Sequence, residues 1–504
     1  MKKTLVKLCA WILVLAMLPL TACSEKGTNT DADAVQEPGT VDADPSADGE
    51  TPETEAEERL KPNIPATGDY GGDEIYFLVW ELPDWSSTVR QYRDIYAEGL
   101  TGEAINDAVY NRNSLIESNY NVKIAQERMH ISDIDPAISK AVTSGDTTYD
   151  VVYPRLYEAA GMYQKHYFQN LMEVPHLDFD MPWWDSNCVN SLSTNGILPA
   201  VATSINVNDK DATAAVAFSK PGAEDNGLED LYTAVREGRW TFDLVASLSE
   251  QCNRDLNGDG TVTYDDYYGF LGKNDVMTSF WHGGGGLLCT KDEQDQFTFS
   301  FGTEYDIDVA VKIVNMMQQP WFFNQHKHSE IDDTKFTELF ETGHGLFFWM
   351  RLDEVTNMRN GDTDFGILPI PKYNETQDKY YSFVSQHTTG LLSIPLTIAG
   401  DALDELGIIL EALAAESQYT LIPEYIESSL KTKYARDEQS ADMLDIIINN
   451  RVFDPMEIYN FGGFAGTFMN YGPNNTTDIA SNVQKQSKVV SKSIDKFLKA
   501  LLEG

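Results

Sequence analysis

The chain has 504 residues, with 37 basic against 79 acidic side chains and a net charge of −42 with histidine neutral. So acidic a molecule repels nucleic acid and anionic lipid, which leaves neutral or cationic ligands. Apolar residues at 42 % and aromatics at 11 % suffice for a globular body, and the length exceeds what one hydrophobic core organises, so two lobes are expected.

In chain order, Lys2, Lys3 and Lys7 accompany an apolar run at 8–20 (LCAWILVLAMLPL). That run is too short for a membrane-spanning helix of ~20 residues and reads as a signal peptide. It ends in Leu20-Thr21-Ala22-Cys23, which resembles the bacterial lipobox, in which Cys23 takes a diacylglycerol before cleavage. Residues 1–22 are therefore expected to be a lipoprotein signal peptide. Residues 23–68 are acidic and rich in Thr, Ala, Pro and Gly, unable to bury enough surface to fold, and read as a disordered tether. The location expected is the outer face of the bacterial cytoplasmic membrane, with a lipid anchor as the membrane contact. Cys188, Cys252 and Cys289 remain, with no CxxC pair. They allow one bridge and a spare thiol, or three buried free thiols, the reading preferred.

The body, 69–504, alternates short apolar strands with amphipathic helices, the pattern of an α/β architecture. Strands are predicted at 75–80 (IYFLVW), 122–124, 149–153 (YDVVY), 216–218, 345–349 and 365–368, and helices at 105–120, 403–415 and 489–502.

The stretch 255–266 (DLNGDGTVTYDD) fits a calcium loop at every position but the last. Asp255, Asn257 and Asp259 supply side-chain oxygens, Thr261 its carbonyl, and Asp266 closes the ring, while Gly260 takes the positive φ. Asp266 is one methylene shorter than the usual Glu, so weak, structural calcium binding is expected; a solvated turn without metal is the alternative.

A sugar needs flat apolar faces beside planar polar groups. Trp80, Trp85, Tyr153, Trp183, Trp184, Trp281, Trp349 and Tyr381 fall at predicted strand ends or in loops and are candidates, Trp281 and Trp349 foremost because glycines bound their segments. Arg155 and Arg351 follow two strands and could grip hydroxyls or a carboxylate in a fork, with structural ion pairing the alternative. His326, His328 and Glu330 read as a solvated loop rather than a metal site. There is no GxSxG, no HExxH and no complete P-loop, Gly272-Lys273 being followed by Asn274, so no catalytic residues are assigned.

Several phrases in common order carry a resemblance. Gly145-Asp146 with Tyr149-Asp150-Val151-Val152, Gly238-Arg239-Trp240-Thr241-Phe242-Asp243, the loop at 255–266 with Tyr268-Gly269-Phe270, Phe280-Trp281-His282-Gly283-Gly284-Gly285-Gly286, Gly343-His344-Gly345-Leu346-Phe347-Phe348 and Asp364-Phe365-Gly366-Ile367-Leu368-Pro369-Ile370-Pro371-Lys372 run through the body. Together they resemble the family-1 extracellular solute-binding proteins, the maltose-binding-protein-like receptors of ABC importers. The resemblance implies an α/β, two-lobed periplasmic-binding-protein-like fold of type II with a hinge between lobes, and it implies a monomer. It also implies a carbohydrate ligand, an oligosaccharide by preference, ABC permease subunits as partners, and no enzymatic activity. In this family a single calcium loop is a frequent insert of the second lobe. An extracellular glycan-active enzyme and a calcium-dependent adhesion or scaffold module are the alternatives.

Overall fold

The computed structural model describes residues 59–82, 93–258, 260, 263–358, 364–427 and 439–503. The signal peptide, Cys23, Trp85, and Asp259 and Thr261 of the calcium loop lie outside the described residues. All described structure belongs to one compact unit, Arg59–Gly504. Residues 59–68, the end of the segment expected as tether, make contacts with this unit. Arg59 pairs with Glu416 at 2.9 Å, the Leu60 amide donates to the Tyr419 hydroxyl, and the Tyr120 hydroxyl donates to the Pro65 carbonyl at 2.6 Å. Those partners lie far along the chain, which is why local composition missed them.

Twelve strands occur among the described residues: β1 Asp73–Glu81, β2 Val122–His130, β3 Val151–Tyr153, β4 Ala214–Ser219, β5 Tyr268–Gly272, β6 Cys289–Lys291, β7 Phe297–Phe299, β8 Phe322–Asn324, β9 Gly345–Arg351, β10 Phe365–Leu368, β11 Ser382–Phe383 and β12 Arg451–Val452. β2, β1 and β3 form a parallel sheet in that order, and a second sheet has the order β10-β4-β9-β5-β8. β5, β8 and β9 are mutually parallel, whereas β4 runs antiparallel to both its neighbours. Every strand predicted from the apolar runs is present. The short β8 and the β6–β7 hairpin were not foreseen, because three residues carry no measurable periodicity.

β9 (GLFFWMR) is buried at every position. A central strand covered on both faces needs such a continuous apolar run rather than alternation. Buried apolar residues of both sheets, from Phe77 and Val79 to Phe270 and Trp349, belong to one continuous cluster. The lobes thus share packing as well as chain crossings.

That packing overturns the sequence-based placement of the aromatics. Trp80, Tyr153, Trp183, Trp184, Trp281 and Trp349 are all fully buried, Trp281 at 1 % and Trp349 at 0 % exposure. Trp281 meets Phe301 and Phe468 at 5.0 and 5.5 Å between ring centroids, and Tyr153 stacks on Phe77. The neighbouring glycine does permit a close approach, but to the indole itself: a Cβ on Gly286 would sit 2.3 Å from Trp281 Cε2. The Trp349 indole N–H donates to Ser279 Oγ at 3.0 Å.

Trp183 and Trp184 have a shared anchor. Their indole N–H groups donate to the two oxygens of Glu411 at 3.0 and 2.9 Å, from the helix Asp401–Tyr419. Burial pushes the Glu411 carboxyl up to about 7 despite these two donors and the Asp178 amide. Replacing it with Leu leaves two buried donors without an acceptor. Glu411→Leu is expected to cost about 2–4 kcal/mol, at ~1–3 kcal/mol per orphaned group less the regained desolvation. Urea denaturation of the variant against the parent measures it.

Candidate functional site

Two segments run side by side between the sheets. Residues 201–213 lead into β4, and 384–393 return toward β3. Bridges join Val201 to Leu392 and Thr213 to Val384, and Val152 of β3 to Ser393. The Ser385 amide donates to the Ala212 carbonyl at 2.9 Å. These crossing segments are polar and yet buried: Asn206, Asn208, Asp209, Lys210, Asp211 and Thr213 on one, Ser385, Gln386, Thr388 and Thr389 on the other. Buried polar residues at such density demand partners. Several are supplied locally: Lys210 Nζ lies 3.2 Å from Asp209, and the Tyr425 hydroxyl donates to Asp211 at 2.9 Å. Arg451, arriving from β12, pairs with Asp185 and, at 3.5 Å, with Asp209.

Among the buried side-chain atoms that find no hydrogen-bond partner among the described residues are Asn206 Nδ2, Gln386 Oε1, Thr388 Oγ1 and Ser393 Oγ on the crossing segments, with Glu457 Oε1 and Arg451 Nε and Nη1 beside them. Glu457 lies on the short helix Pro455–Tyr459 and accepts from Gln386 Nε2 at 2.7 Å with its other oxygen. Burial, and then the charges of Asp454 and Asp275, raise its carboxyl to about 8. Asp454 is raised to about 7 by burial, although the amides of Leu288, Met456 and Cys289 donate to it. At neutral pH Glu457 is mainly protonated, a hydroxyl donor as well as an acceptor.

Beside this strip, β3 turns into the helix Leu156–Gln164. Its first residues dock on the crossing segment, the Leu156 amide donating to Thr389 and the Tyr157 amide to Gln386. Tyr157 is 48 % exposed, its ring 4.8 Å from His387 and 5.8 Å from the Arg155 guanidinium. Arg155 grips Glu158 in a fork, Nε to Oε2 at 2.6 Å and Nη2 to Oε1, and also reaches the His387 carbonyl. Burial holds the His387 imidazole below its ordinary range, with lesser effects from the charges of Asp275, Arg155, Glu158 and Arg351.

From the second sheet come Arg351 and Lys273. Arg351 Nε donates to Asp353 at 3.0 Å, and its Nη2 lies 3.5 Å from Glu354. Lys273 Nζ donates to Glu354 at 2.9 Å and to Asp333 at 3.0 Å. Burial pushes the Asp353 carboxyl up to about 7 against the pull of Arg351. Of the residues singled out from sequence, Arg155 and Arg351 are both engaged in ion pairs here, and the buried Trp349 ring lies 5.9 Å from Lys273 Nζ, while the other large aromatics are packed in the core. Tyr157, Glu158, His387, Asp275, Gln386 and Glu457 were missed. The signal available was the polar run NVNDKDAT with SQHTT, unexpectedly hydrophilic for segments flanked by strands.

The other predicted sites are simpler. Asp255 accepts from the Gly258 and Gly260 amides at 2.7 and 2.8 Å, and Asp266 from Leu256 and Thr263 at 2.9 and 2.6 Å. Both end residues of the loop thus turn inward. No group of three His, Cys, Asp or Glu that could hold a metal occurs among the described residues. His328 stacks on Phe323 at 4.5 Å, and His326 accepts from the Asn274 amide. Cys188, Cys252 and Cys289 are free and buried. No helix among the described residues is long and apolar enough to cross a membrane. A groove of 530 Å³ lined by Tyr96, Tyr110, Asn113, Glu117 and Lys123 lies along β2, apart from the crossing segments.

UspC of M. tuberculosis superposes with a TM-score of 0.54 at 13 % identity, over 83 % of this chain and 100 % of that one. The chain has the two-lobed fold of the family-1 extracellular solute-binding proteins. One such protein from Bifidobacterium longum subsp. infantis gives 0.51 at 12 % identity, over 85 % and 100 % of the two chains. An ABC substrate-binding protein of Listeria monocytogenes, solved with cycloalternan, gives 0.50 at 10 %, over 85 % and 99 %. Scanned against protein-family models the chain matches none, and no curated protein matches it.

The raised carboxyls make stability depend on pH. An acid whose folded pKa is raised adds no penalty below its unfolded value, 3.8 for Asp353 and Asp454 and 4.5 for Glu457, and its penalty grows until pH passes the folded value. Stability should therefore fall as pH rises from about 5 to 8. Glu457→Gln, whose amide oxygen can still accept from Gln386, should flatten that fall by up to about 1.4 kcal/mol per pH unit. Urea midpoints between pH 5 and 8 read it directly.

Proposed function

We propose that this protein is an extracellular receptor that captures a carbohydrate, an oligosaccharide by preference, and delivers it to the permease subunits of an ABC importer. The observation that carries the reading is the set of unmatched buried polar atoms on the crossing segments, next to the open Tyr157 ring. Sugars present hydroxyls that donate and accept together with flat C–H faces, and Asn206, Gln386, Thr388, Glu457 and Tyr157 offer the complementary set. Solved proteins of the same fold support it, among them the Listeria protein with its cyclic oligosaccharide. On this reading the lobes close about the ligand by bending at 201–213 and 384–393, since groups on both sheets meet there. The chain is held as a monomer to the outer face of the cytoplasmic membrane through a lipid on Cys23, with the acidic leader as tether.

Calcium at 255–266 is a second part of the proposal. The inward-turned Asp255 and Asp266 fit the first and last positions of such a loop, and Asn257, Asp259 and Thr261 complete the oxygen set. Its place in the chain between the helix Phe242–Cys252 and β5 supports a structural role. Calcium should raise the melting temperature by several degrees and leave ligand affinity unchanged. Asp255→Ala should abolish that rise; loss of ligand binding in the folded variant would contradict a structural role.

Thermal shift across a panel of neutral oligosaccharides, with product analysis of the same samples, tests the main reading. A saturable shift without turnover is expected, while turnover would favour a glycan-active enzyme. Tyr157→Ala should weaken binding by about 1–3 kcal/mol without unfolding the protein, as for an aromatic that stacks on a ligand. Unchanged affinity in that variant would remove Tyr157 from the site.

A further inference from the structure

The Arg155 fork is the place where a charged ligand would be recognised, and it is already filled. A guanidinium binds a carboxylate best through two parallel N–H groups, and Arg155 spends such a pair, Nε and Nη2, on the two oxygens of Glu158. Its Nη1 is directed to the His387 carbonyl at 3.4 Å. Glu158 is three residues on, one helical turn away, so helix geometry itself holds the two side chains together. The Glu158 side chain keeps 28 % exposure, which leaves its carboxylate reachable for ligand hydroxyls.

The charges across the site repeat the pattern. Arg351 is matched by Asp353 and Glu354, and Lys273 by Glu354 and Asp333. Asp275 adds a further negative charge that acts on both His387 and Glu457. A carboxylate entering here would lose its water, meet no uncommitted fork at Arg155 or Arg351, and face Glu158. A neutral hydroxyl would meet acceptors suited to it.

We infer that Glu158 sets the charge class of the ligand: by closing the Arg155 fork it makes the Tyr157 surface a site for neutral glycans and excludes uronates and other carboxylate-bearing sugars. This rests on the carbohydrate reading above. Removing the negative charge reopens the fork. In Glu158→Gln one amide oxygen still accepts from Arg155, but the second N–H is released for a ligand carboxylate.

The test is calorimetric titration of the full mature chain and of Glu158→Gln with galactotriose, xylotriose, maltotriose and cellotriose against trigalacturonate and a glucuronate-capped xylotriose. Glu158→Ala serves as a second variant, and far-ultraviolet circular dichroism checks that each is folded. The parent should bind at least one neutral trisaccharide and bind the uronates at least a hundredfold more weakly. Either variant should gain uronate affinity at least tenfold, in a manner that salt weakens. Uronate binding by the parent comparable to its neutral binding overturns this inference alone, as does the absence of any gain in both folded variants. Silence toward every glycan, in parent and variants alike, overturns the carbohydrate reading and this inference together.

Discussion

Everything about this molecule depends on how charge is buried where the chain crosses between its two sheets. Asp209, Lys210 and Asp211 on one crossing, Arg451 from β12 and Arg351 with Glu354 at the end of β9 are all removed from water. An isolated ion in such surroundings would cost several kcal/mol, so each is tied to an opposite charge or a hydroxyl, and those ties link segments hundreds of residues apart. Arg451 to Asp185 and Tyr425 to Asp211 are examples. The arrangement gives a defined geometry rather than great stability. Burial has raised Asp353, Asp454 and Glu457, so the same groups weaken the fold as pH rises.

A binding site follows from what that pairing leaves unmatched. A crossing made of apolar residues would be tighter and would recognise nothing. Here two bridges tie the segments to each other and further backbone bonds tie them to β3 and its helix, while Gln386 and Thr388, with Glu457 beside them, retain side-chain capacity for a polar guest. The adjoining aromatic is not one of the large buried indoles. It is Tyr157, held in place because its own amide is tied to Gln386 while its ring stays open. Binding and bending thus share one set of residues, which is how a ligand's contacts can bias the separation of two lobes.

The apolar runs at 75–80, 216–218, 345–349 and 365–368 announced their strands because burial on both faces requires continuous hydrophobicity, and the helices announced themselves by periodicity. The order of short phrases was enough to suggest the fold, since turns, capping residues and strand ends are local needs written in local residues. Thr241, for instance, caps the helix that follows it through its own side chain. The calcium-type loop is local for the same reason, with carboxylates at its ends folding back on amides only a few residues away.

The candidate site was not legible, because exposure and charge partners are set by elements remote in sequence. Trp281 and Trp349 have the composition and glycine neighbours of a sugar platform, yet Phe301, Phe468 and the covering helices bury them. Arg155 and Arg351 were named from their places after strands, but their ion pairs decide what they can do. Residues 59–68 read as tether until Glu416, Tyr419 and Tyr120 are brought against them. By itself the sequence determined the acidic character, the strands and helices, the loop at 255–266 and the class of fold, all fixed by neighbours a few residues apart. Only the tertiary structure decided which aromatic is open, which cations are already paired and which polar atoms lack a partner, because each of those depends on what the remaining chain places across from them.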